Sequence, residues 1–127
     1  MIVADTDVLI DSTRGREPMR SWIATAIQQR ALATTVINAF ELLGGARAKA
    51  DYRKVDALLG GIDLYPLDEA AMRVAAGIRR NLEVDGMSLE AADCLIAGIC
   101  IARSVPLLTR NRAHFERVQG LVLAPLP

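Results

Sequence analysis

The sequence predicts an α/β fold, a mostly parallel sheet covered by helices on both faces. Three observations carry that prediction. Short apolar runs end abruptly at turn or polar residues. Segments with apolar residues at helical spacing separate them, and these are long enough for the crossover that parallel strands require. Such crossovers are right-handed and lay their helices on the sheet, so both faces are buried. With 127 residues, 52% of them apolar, the chain is expected to form one domain over residues 1–127. A chain of this size buries roughly two thirds of its unfolded surface around a core.

The elements follow in order. Ile2 to Ala4 is a short apolar strand ending at Asp5, and Asp7 is expected to cap a short helix through Ser12 before the Arg14-Gly15-Arg16 break. Pro18 opens a second helix, in which Met19, Trp22, Ile23, Ala26 and Ile27 recur at helical spacing through about Arg30. That stripe suits core, a dimer seam or a partner groove. Ala31 to Thr34 is extended, and a third helix begins near Val36 and loosens at Gly44-Gly45. A further helix runs from about Asp51 to Leu59, Gly60-Gly61 ends it, and Ile62 to Tyr65 is a strand. Asp68 caps the next helix, which turns Ala71, Val74, Ala75 and Ile78 inward until Asp85-Gly86. Ser88, with Glu90 and Ala91 behind it, opens an apolar helix that contains Asp93 and runs to about Ser104. Val105 to Leu108 is another buried strand ending at Thr109, Arg110 to Phe115 is a short turn or helix, and Leu121 to Leu123 forms a last strand.

Composition excludes several classes. The longest apolar runs fall far short of a membrane span and the start lacks a secretory pattern, so a cytoplasmic protein is expected. Formal net charge is zero, so any nucleic-acid contact must be local. Thirteen of the fifteen basic residues are Arg, which suits bidentate phosphate contacts but equally reflects a GC-rich genome. Cys94 and Cys100 stand six apart on one helix, nearly on opposite faces, which argues for buried small hydrophobes rather than a disulfide. Trp22, Phe40 and Phe115 each sit in an apolar pattern and are assigned to the core.

Asp5, Glu41 and Asp93 each lie where an apolar run turns into a helical pattern. A buried acid in such a setting costs several kcal/mol unless a cation or hydrogen bonds compensate it. Singly, each has an ordinary explanation: a strand-end turn acid, an exposed helix charge, an acid favoured by a helix N-terminus. Jointly they point to one acidic site, because ligands of parallel sheets collect beyond the carboxyl ends of the strands, where Asp5 and Thr109 lie and the helices of Glu41 and Asp93 begin. Oxygen-only ligands favour Mg²⁺ or Mn²⁺ over zinc, and His114, the single histidine, cannot make a zinc site alone. Arg14, Arg16, Arg110 and Arg112 fall in loops that border this edge and are candidates to grip phosphates, against a plain solvated surface for each.

Four segments together resemble a known family. Asp5-Thr6-Asp7-Val8-Leu9-Ile10-Asp11, Glu41-Leu42-Leu43 with Gly45-Ala46, Asp93-x-Leu95-Ile96-Ala97, and Leu108-Thr109-Arg110-Asn111 with Phe115, Val118 and Gly120-Leu121 are similar to the PIN-domain ribonucleases, specifically VapC-type toxins of toxin–antitoxin pairs. The resemblance runs from end to end. It implies a PIN-like three-layer α/β/α sandwich with a mostly parallel five-stranded sheet, Mg²⁺- or Mn²⁺-dependent endonucleolytic cleavage of RNA, homodimers, and inhibition by a VapB-like antitoxin. By position, Asp5, Glu41 and Asp93 are its acidic core. Asp5 and Asp93 are the expected direct metal ligands, and Glu41 binds a second ion or orients water. Asp7 departs from the Asn or Ser common in the family and is taken as a helix cap, the alternative being an added carboxylate. Asn111 stands where many relatives carry a fourth acid, and His114 where Asp is frequent; Glu116 is a candidate substitute, but an exposed charge on a short helix is its plainer reading. Two other readings compete with this one: a PIN-like module that has lost catalysis and binds RNA or protein, with Asn111 as its support, and a haloacid-dehalogenase-like phosphatase, for which the later Lys and acidic pair are missing.

Overall fold

The computed structural model describes residues 1–127 and centres on strand β1 (Ile2–Ala4), which pairs in parallel with β2 (Leu32–Thr35) on one side. Strand β3 (Asp63–Tyr65) lies beyond β2, and β4 (Leu107–Leu108) flanks β1 on its other side, giving the order β3-β2-β1-β4 with every pairing parallel. Helices α1 (Thr6–Thr13) and α2 (Met19–Gln28) connect β1 to β2, and α3 (Val36–Gly45) and α4 (Lys49–Gly60) connect β2 to β3. Helices α5 (Glu69–Val84) and α6 (Ala91–Arg103) then lead to β4, and α7 (Arg112–Phe115) follows it.

Because successive strand residues point to opposite faces, the sheet divides its apolar residues between two cores. Val3, Ala33 and Leu107 are in register and pack with Ala75 and Ile78 of α5, Ile96, Ala97 and Cys100 of α6, and Phe115. Ala4, Leu32 and Leu108 face the other way, toward Val8 and Leu9 of α1, Met19, Ile23 and Ala26 of α2, Leu42 of α3 and Val55 of α4. The result is a helix–sheet–helix sandwich, and the Met19–Ile23 stripe belongs to its core. At the α5–α6 contact a Cβ on Gly98 would stand 2.6 Å from the Ala71 carbonyl oxygen and 2.8 Å from Ala75 Cβ, so only glycine permits this approach. Both cysteines are buried and free, and burial pushes the Cys100 thiol up to about 12, as befits a small hydrophobe.

The structure corrects several expectations. The sheet has four strands rather than five: residues 121–123 contribute one parallel bridge, Leu107 to Leu123, because β4 is only two residues long and the Ala124 carbonyl, the next acceptor along that ladder, is engaged by Arg112. Pro106, which has no N–H, delays the start of β4. The capping residue of α1 is Asp5 itself, not Asp7, which lies inside the first turn. Helix α6 starts at Ala91 without help from Ser88, because α5 closes on Gly86 (φ +73°) with the Met87 N–H donating to the Leu82 carbonyl, and the chain stays non-helical through Glu90. Phe40 is 77% exposed rather than core, since α3 buries Asn38, Ala39 and Leu42; Trp22 is half-buried and Phe115 fully buried, as expected.

Candidate active site

The strand order places a switch point beside β1. Crossovers through α1–α2 and α3–α4 carry the chain one way to β2 and β3, whereas the α5–α6 crossover returns it to the opposite side of β1. Helices that diverge in this way leave a crevice at the carboxyl ends of β1 and β4, the usual ligand position in an open parallel sheet. Asp5 leaves β1 at that point, and its backbone N–H donates to the Leu108 carbonyl at 2.9 Å. Thr109 follows β4, and Thr35 ends β2 as the cap of α3.

Asp5 is 7% exposed and fully engaged. Its Oδ1 accepts from the Thr6 N–H at 2.8 Å and from Asn38 Nδ2 at 2.9 Å, and its Oδ2 accepts from Thr109 Oγ1 at 2.6 Å. These donors fix its rotamer. Thr109 is itself held, since its Oγ1 accepts from the Asn111 N–H at 3.0 Å. Glu41, on the exposed side of α3, accepts from the Thr6 hydroxyl at 2.7 Å.

Asp93 contrasts with both. It lies half-buried in the first turn of α6, and no protein group donates to its carboxylate. Burial, then the charges of Asp5, Glu41 and Glu90, raise its carboxyl from 3.8 to about 6, with His114 acting in the opposite sense. Asp93 therefore feels the charges of Asp5 and Glu41, although no three acidic, His or Cys side chains as oriented close around one point. The fit to a hard divalent ion rests on the chemistry of the donors, which are carboxylate and hydroxyl oxygens, and on the uncompensated charge at Asp93.

The remaining expected residues have defined places. Asp7 Oδ2 accepts from the Arg110 N–H at 3.1 Å, tying the loop after β4 to α1, while its Oδ1 is buried with no partner. Burial and then Asp5 raise the Asp7 carboxyl above its ordinary value. Arg16 and Arg110 each approach buried Asp11 at 3.4 Å, and Arg112 donates to the Ala124 carbonyl at 2.9 Å, so these three guanidinium groups have structural partners. Arg14 instead borders an open groove of about 390 Å³ with Glu41, Arg47, Asp51 and Lys54. The Asn111 amide lies 2.8 Å from His114 Nδ1 and makes no contact with Asp5.

Sequence reasoning missed Asn38 and Asp11 and assigned His114 no role. Asn38 had a signal: the Thr35-x-x-Asn38 spacing forms a capping box, and a polar amide interrupts the apolar Val36–Phe40 stretch. Asp11 recurs one helical turn after Asp7, which places it on the same side of α1.

The comparisons agree with this geometry. The PIN domain family model matches residues 2–121. Ribonuclease VapC10 of Mycobacterium tuberculosis is 33% identical over 121 residues, covering 95% of this chain and 90% of the relative. Ribonuclease VapC1 of Methanocaldococcus jannaschii is 28% identical over 118 residues, covering 93% and 81%. Among solved structures, VapBC2 from Rickettsia felis bound to a DNA fragment from its promoter superposes with a TM-score of 0.89 at 22% identity, covering both chains completely, and so shows the same fold. The match across nearly the whole chain, together with the acidic edge of the parallel sheet, places this protein in the PIN-domain family, among the VapC ribonucleases.

Proposed function

We propose that residues 1–127 form one PIN domain that acts in the cytoplasm as the toxin of a toxin–antitoxin pair, cutting RNA endonucleolytically with Mg²⁺ or Mn²⁺. The observation that supports this reading is Asp93 at the switch-point edge of the sheet, its carboxyl raised to about 6 by burial and then by the charges of Asp5, Glu41 and Glu90. Such repulsion is unfavourable in the free protein and is relieved by a bound cation. Asp5 and Asp93 would hold the ion directly, and Glu41 would hold a second ion or orient water. The ion supplies an acidic water at neutral pH and offsets charge on the phosphate oxygens. Thr109 and the Thr6 N–H hold the Asp5 carboxylate in place at the crevice. His114, steered by Asn111, favours the charged form of Asp93 without adding a fourth acid. Arg14 is the best placed of the four arginines to meet a phosphate, with Arg16, Arg110 and Arg112 reinforcing the bordering loops. The natural partners on this reading are RNA, a VapB-like antitoxin and a second copy of the chain. The family match replaces the phosphatase alternative.

The test is cleavage of total RNA by purified protein with Mg²⁺, Mn²⁺ or EDTA, beside Asp5→Asn and Asp93→Asn matched for folding by circular dichroism. Discrete metal-dependent fragments absent from both variants are expected. Identical patterns in wild type and variants would mark contamination, and no cleavage by folded, antitoxin-free protein would favour a binding module.

A further inference from the structure

Asn38 is completely buried, yet the Nδ2 half of its amide is directed at the acidic site. Its Oδ1 accepts from the Thr35 N–H at 3.4 Å and the Thr35 hydroxyl at 2.6 Å. A backbone N–H can only donate, so this pairing fixes the amide orientation and leaves Nδ2 as the group facing the site. Nδ2 then donates to Asp5 Oδ1 at 2.9 Å and to Thr6 Oγ1 at 2.9 Å. Having received that hydrogen, the Thr6 hydroxyl turns its own hydrogen to Glu41 Oε1 at 2.7 Å. One amide therefore sets the direction of the side-chain relay that joins Asp5, at the end of β1, to Glu41, on α3, beside the backbone bond from the Thr6 N–H to Asp5.

A capping box needs only the Oδ1 half of this side chain. The Nδ2 half makes contacts that helix capping does not require, and its two partners are a site carboxylate and the hydroxyl that reaches a second one. We propose that Asn38, with Thr6 as intermediary, is a positioning residue that holds Asp5 and Glu41 in one register for a divalent cation. This rests on the metal-dependent reading above.

The experiment measures Mn²⁺ binding to metal-free protein by calorimetry for wild type, Asn38→Leu, Thr6→Val, Thr6→Ser and Asp93→Asn, with melting temperatures in EDTA. Groups that orient metal ligands typically change affinity by about 10- to 100-fold. Thr6→Val, which leaves the capping box intact, is expected to weaken Mn²⁺ about tenfold at an unchanged melting temperature, and Thr6→Ser to restore it. Asn38→Leu is expected to weaken it at least as much. Wild-type affinity in Thr6→Val and folded Asn38→Leu, beside a loss in Asp93→Asn, would overturn the positioning role and leave the metal site standing. Absence of Mn²⁺ binding by the wild type would overturn both. Should Asn38→Leu fail to fold, Thr6→Val against Thr6→Ser decides alone.

Discussion

Helix α6 joins two regions built on opposite terms. From Ile96 to Cys100 its side chains are buried without a gap, and Gly98 lets α5 approach until its backbone is nearly in contact. One turn nearer the N-terminus, Asp93 is half-buried with no donor and faces the charges of Asp5, Glu41 and Glu90. Packing is driven to its limit where the helix only supports the fold. Electrostatics are left unresolved where something charged must bind. Changes at the two ends should therefore act in opposite directions on stability.

The largest effect is expected at the acidic end. Asp93→Asn should reduce RNA cleavage at least about 100-fold, the scale on which a group stabilising transition-state charge is felt. The same substitution should raise the melting temperature of the metal-free protein near pH 7, because it removes the repulsion. Cleavage assays paired with scanning calorimetry in EDTA check both; loss of activity with loss of stability would mean that Asp93 has a structural donor after all.

At the packed end, Gly98→Ala should destabilise. Overpacking against backbone costs typically about 1–3 kcal/mol, and the gain of about 1 kcal/mol from replacing a helical glycine offsets only part when the nearest atom is a carbonyl oxygen at 2.6 Å. A fall in denaturation midpoint at constant m-value is the expected signature. Adding Ala75→Gly should recover only part of the loss, because the Ala71 carbonyl remains.

A smaller effect follows from pH. The folded-state value for Asp93, about 6, lies above its ordinary 3.8, so the folded protein binds this proton more tightly than the unfolded chain. That contribution is present below about pH 4 and is lost as pH rises through 6. The raised carboxyl of Asp7 acts in the same direction. Metal-free protein should lose melting temperature across this window, Asp93→Asn should flatten the loss, and Mg²⁺ should oppose it above pH 6 by binding the ionised form. A flat profile for the metal-free wild type would show that Asp93 is not crowded by its neighbours.

Much of the fold and the acidic edge was legible because the signals are local. Apolar runs against helical periods mark the strands and helices, Asp68 and Gly86 mark the ends of α5, and an acid after an apolar strand marks Asp5. What escaped depends on contacts remote in sequence. Nothing near Asp7 announces that the Arg110 N–H will seek it 103 residues later, so a cap was the plain reading, although Asp5 takes that place. Asn38 donates across 33 residues to Asp5, and only its capping-box spacing was visible in advance. The missing fifth strand follows from Pro106 beside a two-residue β4 and from Arg112, which engages the Ala124 carbonyl from 12 residues away.

Phe40 gives the smallest expected effect and the sharpest separation of pattern from structure. Placed in the core by its apolar neighbours, it would lose about 3–5 kcal/mol on replacement by Ala. At 77% exposure it has little buried surface to lose, so Phe40→Ala should change stability by no more than about 0.5 kcal/mol. Helix propensity works in the same direction, since Ala is the better helix former. Chemical denaturation of the isolated protein decides between the two figures. A large loss would mean that a second copy of the chain covers this side of α3 in solution, and the midpoint would then depend on protein concentration, as the stability of an obligate oligomer does.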